Sequence, residues 1–305
     1  MRKFVKVILL FMLPLLLLVV AGEILVQSYP NSYRYKNEWM ESNASGVKTL
    51  LLGASHMYAG INPALLGEGT FSLANVSQHY EQDYYLLNKF APKLTSLKTV
   101  VLTIDDAMLF DPPLEQGDES YRCTYYNLYM GCDKYSHSLK YALELCNFAA
   151  WREKLNKAVP EMLSGNVKLD CDSLGFATTF PTPAEWDHVA MSLEVEITLK
   201  YHQSKDNSFV AHNAGYIEKI AVWCQEHDVQ LVLVSTPLYN DYSKRMAPEV
   251  IATMNSIAIE MCTKHDATYY NLMNEDSFTG TDFYDADHLS QQGAAKLTRM
   301  LHPLL

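Results

Sequence analysis

Five short apolar runs, separated by helical or irregular stretches, constrain the fold of this chain more than any other feature. They occupy residues 47–52, 71–74, 98–104, 230–235 and 267–272. Runs of this kind, the first four largely aliphatic and the fifth carrying two tyrosines, suit strands buried in a parallel sheet. Residues 80–97, 214–227 and 248–264 have helical spacing, and a last helix over 290–301 closes the chain. Strand alternating with helix predicts the α/β class, here a three-layer α/β/α sandwich of flavodoxin-like order.

The stretch 111–205 breaks this rhythm. It holds YRCTYYNLYMGCDKY, a helical segment near 139–163 and a Pro/Thr-rich loop, TTFPTPAEW. It reads as an insertion over one edge of the sheet, placed to shape a substrate groove. Residues 29–46 are polar and aromatic and read as a tether. The expected organisation is thus 1–28 as membrane segment, 29–46 as tether, and 47–305 as one α/β domain with the insertion.

Residues 1–28 set the compartment. Arg2, Lys3 and Lys6 precede a nearly unbroken apolar run that continues past Glu23 into Ile24, Leu25 and Val26. The run approaches the ~20 residues that cross a bilayer. Its basic flank belongs on the cytoplasmic side. Two readings stand: an uncleaved single-span anchor, or a signal peptide, for which Ala21-Gly22 is a poor cleavage site. Either puts the rest outside the cytoplasm, at the cell surface or in a periplasm, and it is secreted if the segment is removed. No Cys follows the run, which leaves a lipoprotein anchor unsupported.

Composition narrows the function. Apolar residues make up 49% of the 305 and charged residues 19%, enough for a substantial core. The net charge is −11. No basic stripe is visible, so a nucleic-acid partner is not expected. A mean hydropathy of −0.10 excludes a polytopic membrane protein. The six cysteines are an even number, and Cys123 and Cys132 flank a Tyr-rich segment where they could pair. Cys224 and Cys262 read as small buried residues on helices. No CxxC or HExxH spacing occurs and the ten histidines are scattered, so neither metal nor cofactor is expected. His227-Asp228 and His265-Asp266 fall at helix ends, where the helix dipole accounts for a His.

Two motifs carry chemistry. Gly53-Ala54-Ser55-His56 follows the first run directly, presenting a hydroxyl at the carboxyl edge of the sheet, where open α/β sheets place their sites. Asp285-Ala286-Asp287-His288 precedes the last helix. His288 is a candidate general base toward Ser55, and Asp285, three residues earlier, can bond its other ring nitrogen. Each motif alone has a structural explanation: Ser55 as a helix cap, the acidic residues as the approach to a helix N-terminus at Ser290. His56 either lines the same pocket or packs. Ser235-Thr236-Pro237, Tyr239 and Tyr242 end the fourth run at the same edge, and Tyr121, Tyr125, Tyr126 and Tyr129 could stack on sugar rings or pack the insertion.

Taken together, the Ser after the first strand and the Asp-x-x-His after the last resemble the SGNH/GDSL hydrolase superfamily, particularly its membrane-anchored extracytoplasmic members that acylate envelope polymers. The resemblance covers 47–111 and 205–305. It implies Ser55 as nucleophile with His288 and Asp285 as partners, although Gly-Ala-Ser stands where the family usually has Gly-Asp-Ser. The family's oxyanion donors are less well matched. Asn75 stands where a Gly would be, and Asp105-Asp106 where an Asn would be. A carboxylate opposes a developing oxyanion, so the side-chain amides of Asn75 and Gln78 are the expected donors, with the backbone N–H groups of Ser55 and Asn75. The implied function is a serine esterase or O-acyltransferase on acyl esters of envelope or extracellular glycans, acetyl being the expected acyl group. A small ester would serve as substrate, and an envelope-assembly protein as partner. The alternative is a non-catalytic glycan-binding or scaffold component of an envelope polysaccharide assembly.

Overall fold

A computed structural model describes residues 2–201 and 207–305. Two helices open the chain, α1 (Arg2–Ser28) and α2 (Ser32–Asn43). Then follow β1 (Thr49–Leu52), α3 (Ser55–Gly60), β2 (Thr70–Ser72), α4 (Tyr80–Phe90), β3 (Thr99–Thr103) and α5 (Asp106–Phe110). The interrupting stretch contributes α6 (Arg122–Met130), α7 (Asp133–Ser136), α8 (Phe148–Ser164) and α9 (His188–Tyr201). The chain ends with α10 (Val210–Glu226), β4 (Gln230–Ser235), α11 (Asn240–Ser243), α12 (Pro248–His265), β5 (Thr268–Asn271) and α13 (Gln291–Leu301).

The five strands form one all-parallel sheet in the order 2-1-3-4-5, the order of flavodoxin-like doubly wound sheets. Leu50 pairs in register with Phe71 on one side and Val100 on the other, and Val100 with Leu231. Leu50, Phe71 and Val100 are wholly buried, as strands covered on both faces require. Helices α4, α10 and α12 pack in sequence on one another, and α13 packs on α3. The order reverses between β1 and β3, and the first and third crossovers leave β1 and β3 there, opening a crevice at their carboxyl ends.

Contacts divide the chain into two compact units. One joins residues up to Tyr35 with Ser120–Leu169; the other holds Lys36–Glu119 and Asp170–Leu305, including the whole sheet. The stretch expected as one insertion is therefore split. Its second part returns to the sheet unit, where Ser72 N donates to Leu174 O at 3.0 Å.

The tether reading of 29–46 gives way to a helix. Tyr33, Lys36, Met40 and Ala44 are buried at helical spacing. A lysine in the middle of that stripe conceals the pattern, because a buried charge is not expected there. Cys123 and Cys132, which their spacing would allow to pair, are both buried and form no disulfide, and Cys171 and Cys224 are likewise buried and not disulfide-bonded. α1 meets the expectation of a long apolar helix, since Leu10–Ser28 is long and apolar enough to cross a membrane or to act as a signal sequence.

Candidate active site

Gly53 makes the turn that exposes Ser55. Its φ of +132° lies in the region that favours glycine, and a Cβ there would come within 2.3 Å of Thr103 Oγ1. The Gly53 N–H donates to Asp83 Oδ1 at 2.8 Å, pinning the turn from below. Ser55 then opens α3. The first bonds of that helix run from Met57 N and Tyr58 N to Ala54 O, at 3.1 and 2.9 Å. The N–H groups of Ser55 and His56 precede them and have no intrahelical acceptor.

The segment 285–288 is held as a tight loop. Phe283 and Leu289 form an isolated antiparallel bridge at its base. Tyr284 N donates to His288 O at 2.9 Å, and Tyr239 N donates to Ala286 O at 3.0 Å, tying the loop to the segment beyond β4. Asp285 Oδ1 accepts the His288 and Asp287 N–H groups at 2.8 and 3.2 Å. The same oxygen lies 2.9 Å from His288 Nδ1. On the far side of the ring, His288 Nε2 lies 2.8 Å from Ser55 Oγ. With Nδ1–H donating to the Asp285 carboxylate, Nε2 is the acceptor for the Ser55 hydroxyl. The structure thus brings Ser55, His288 and Asp285 into one hydrogen-bonded chain.

Two residues that the sequence leaves in the background belong to this cluster. Asp287 turns back, its Oδ1 3.1 Å from His288 Nδ1 and its Oδ2 3.8 Å from His56 Nε2. His56 lies nearly parallel to His288, with ring centres 5.0 Å apart at 17°. Its Nδ1 is 3.5 Å from Asp105 Oδ2. Burial opposes the charge on His288, yet the carboxylates of Asp287 and Asp285 raise its pKa well above the ordinary 6.5. Burial likewise opposes the charge on His56, and Asp105 overcomes it to raise that pKa too. Adjacency to Ser55 was the one sequence signal for His56. Nothing in sequence separates the two aspartates around Ala286, because which of them faces the ring depends on how the loop folds.

The side-chain amides of Asn75 and Gln78, expected as oxyanion donors, are bonded elsewhere. The Asn75 Nδ2 group donates to Leu73 O and Gln78 Oε1, at 3.1 and 3.0 Å, which uses both of its protons. Gln78 Nε2 donates to Asp83 Oδ1 at 2.6 Å. Beneath them Lys36 Nζ bonds Ala74 O, reaches Asn75 Oδ1 at 3.3 Å and sits 4.1 Å over the Tyr58 ring. The physical reason is burial. Lys36 and Asp83 lie fully inside the protein, and buried polar and ionisable groups must be hydrogen-bonded. The amides satisfy them and are turned away from Ser55. Burial pushes the Lys36 pKa down to about 8 and the Asp83 pKa up to about 8, the latter against the bonds from Gln78 and Gly53.

A cavity of about 540 Å³ opens in front of Ser55. His56, His288, Phe180, Met108, Phe110 and Ile197 help to line it, with Val76 and Ser77 in place of their neighbours Asn75 and Gln78. Asp105, Asp111, Asp118, Glu119 and Asp287 also line it, and among the described residues no Lys or Arg does. His79 adds a buried imidazole whose pKa burial depresses to about 4, so it is neutral.

Other sequence candidates resolve as packing. Ser235 Oγ donates to Ile104 O at 2.9 Å and bonds the Tyr269 hydroxyl. Tyr239 packs on Trp186, and Tyr242 is buried. Tyr125 and Tyr126 pack on Tyr33 with ring centres 5.2 and 5.3 Å away, and Tyr126 and Tyr129 are buried, so that cluster is not an open sugar platform. His227 stacks on Trp223 and bonds its carbonyl. One grouping among the described residues has metal-ligand geometry: His56, Asp287 and His288, with ligand atoms within 4.8 Å of one another. Its His288 Nδ1 is already bonded to Asp285, so a cation there would have to break the chain to Ser55.

No protein-family model matches this sequence, and no curated protein is found to be similar to it.

Proposed function

We propose that this protein is a membrane-tethered serine esterase or O-acyltransferase of SGNH type. Its sheet unit would form the three-layer sandwich of that superfamily, outside the cytoplasm, with α1 as the anchor. The observation that carries the reading is the chain Asp285–His288–Ser55, with successive contacts of 2.9 and 2.8 Å at the carboxyl edge of a parallel sheet. Both lie within the reach that proton transfer needs.

In the reaction, Ser55 Oγ attacks the acyl carbonyl as His288 Nε2 takes its proton. Asp285 fixes the tautomer and stabilises the imidazolium. The carbonyl oxygen gains charge and is held by backbone N–H groups. Those of Ser55 and Asn75 have no acceptor in the chain among the described residues. His288 then returns the proton to the departing alcohol, leaving an acyl-Ser55 ester. Water, or a sugar hydroxyl deprotonated by His288, takes the acyl group and releases Ser55. The five carboxylates around the cavity disfavour anionic esters and support an uncharged acyl group such as acetyl on an envelope glycan.

One observation favours the rival reading, a non-catalytic glycan-binding or scaffold component. Asp105 lines the cavity where a neutral donor would serve catalysis better. A single experiment separates the two. The full chain in detergent is exposed to p-nitrophenyl acetate and followed by released nitrophenol and intact mass, beside Ser55→Ala. An acetyl adduct or turnover that vanishes in the variant supports the enzyme. Equal trace release from both proteins supports the scaffold.

A further inference from the structure

α1 changes character along its length. Its side chains from Leu10 to Leu18 are exposed, with Leu10 at 76% and Leu18 at 70%. Glu23, Val26 and Tyr29, one helical turn apart, are buried instead. A carboxylate at Glu23 is expensive at the end of an apolar span. Here it caps a turn: its Oε1 accepts Glu144 N at 2.8 Å and its Oε2 accepts Leu145 N at 3.0 Å. Close by, Gly22 lies against Trp151, whose ring a Cβ at Gly22 would approach to 2.7 Å. Seven residues on, just past the end of α1, Tyr29 bonds Glu161. α8 therefore runs alongside α1 in the same direction, with its N-terminus toward the apolar end.

That geometry places exposed apolar side chains beside the span. Phe148 precedes Trp151 by three residues, hence lies about 4.5 Å further toward the apolar end, and is 60% exposed. Leu139 and Leu143, on the short turns leading to the one Glu23 caps, are 86% and 43% exposed. Lys134 and Lys140 flank them, also exposed. Apolar side chains flanked by lysines match an anionic lipid interface, the apolar part entering the acyl boundary and the ammonium groups meeting headgroups.

We propose that residues 139–148 form a collar that docks on the bilayer entered by α1, with Leu139, Leu143 and Phe148 inserted among the lipids. The inference rests on the anchor reading of α1. Its occupant is lipid, because the patch is continuous with a helix long and apolar enough to cross a membrane.

The test uses the full chain in nanodiscs containing phosphatidylglycerol, with bromines on the upper acyl carbons. Leu139→Trp and Phe148→Trp are compared with the parent protein and with Leu163→Trp, at the opposite end of α8. At the two collar positions the added emission should be quenched at least twofold more than at Leu163→Trp. Equal quenching at all three overturns the collar, as does a second copy covering it, seen as a dimer in the nanodisc with no added quenching. Intact mass is read on the same samples. Loss of residues preceding Gly22 would overturn the anchor reading and the collar together, whereas a full-length mass with unquenched collar residues overturns the collar alone.

Discussion

The loops 75–78 and 285–288 occupy comparable places, each beyond the carboxyl end of a strand and each rich in polar side chains. Their side chains face opposite ways. In the second loop Asp285 and His288 point their bonding atoms along one line to Ser55. In the first, the carboxamides of Asn75 and Gln78 bond each other, a carbonyl and Asp83. What differs is the ground beneath. Buried Lys36 and buried Asp83 lie under the first loop and claim its donors and acceptors. The second loop satisfies itself through backbone N–H groups on Asp285 and leaves the imidazole free to face outward. A suitable residue type at a suitable strand end is therefore not enough to define a role; the buried polar groups nearby that need partners decide which way it turns.

The largest effect should come from Ser55→Ala. On the serine-hydrolase reading it removes about 10⁶-fold of turnover, since deleting one member of a triad costs nearly as much as deleting all. Ser55 is partly exposed at its cavity, so melting temperature should barely change. Retained turnover in Ser55→Ala would remove the functional meaning of the 285–288 loop and leave the two loops alike.

Next come the paired substitutions Asp285→Asn and Asp287→Asn. Asp285 is bonded by the loop's own N–H groups and is the nearer to His288 Nδ1, so Asp285→Asn should cost about 10⁴-fold. Asp287→Asn should cost far less in plateau rate but move the pH profile. The His288 pKa is raised against burial, first by Asp287 and then by Asp285. Catalysis needs the neutral ring, so kcat/KM should rise with pH through an apparent value above 6.5. Removing the Asp287 charge should shift that limb toward acid. For stability the sign is opposite: the imidazolium contributes below the unfolded value of 6.5, and that contribution is lost as pH rises through the folded value. With His56 stacked close by, the titration belongs to the pair. A pH–rate profile unmoved by Asp287→Asn would count against its role.

The parallel sheet and the two motifs that meet in the Ser55–His288–Asp285 chain were legible in the sequence, for an identifiable reason. Buried parallel strands are written as local apolar runs, and β4 spans the residues expected. Ser55, Asp285 and His288 lie in two short motifs whose own backbones orient them. The rest depends on contacts distant in sequence. Lys36 stood in a supposed tether, 38 residues from the Ala74 carbonyl it bonds. Without it nothing in Asn75 or Gln78 reveals that their amides are taken. Asp105 was visible as an unsuitable oxyanion donor, but its place beside His56 was not, since it needs the ends of β1 and β3 to be neighbours.

Asn75→Ala tests the first loop directly. It removes one hydrogen-bond partner each from Lys36 and Gln78, so it should destabilise the fold by about 1–3 kcal/mol in urea titration. Turnover of the folded protein should fall only modestly. A loss of about 10²–10³ in kcat with unchanged stability would be the signature of an oxyanion donor and would return Asn75 to that role.

The remaining effect is expected at Asp83, and its sign is the informative part. Burial raises this carboxyl to about 8, while the unfolded value is near 3.8. The folded protein then holds a proton that the unfolded chain has lost, so this group's contribution to stability is full below about pH 4 and declines as pH climbs to about 8. Asp83→Asn keeps a carbonyl oxygen for the Gly53 N–H and the Gln78 amide but cannot ionise. Melting temperatures of variant and parent should therefore be close at pH 5, with the variant higher by a few degrees at pH 8.5. The opposite outcome, a variant weaker at pH 8.5 than at pH 5 relative to the parent, would mean that Asp83 is ionised inside the protein. The charge of Lys36 would then be balanced through the Asn75–Gln78 bridge, and the first loop would be a relay between two buried ions.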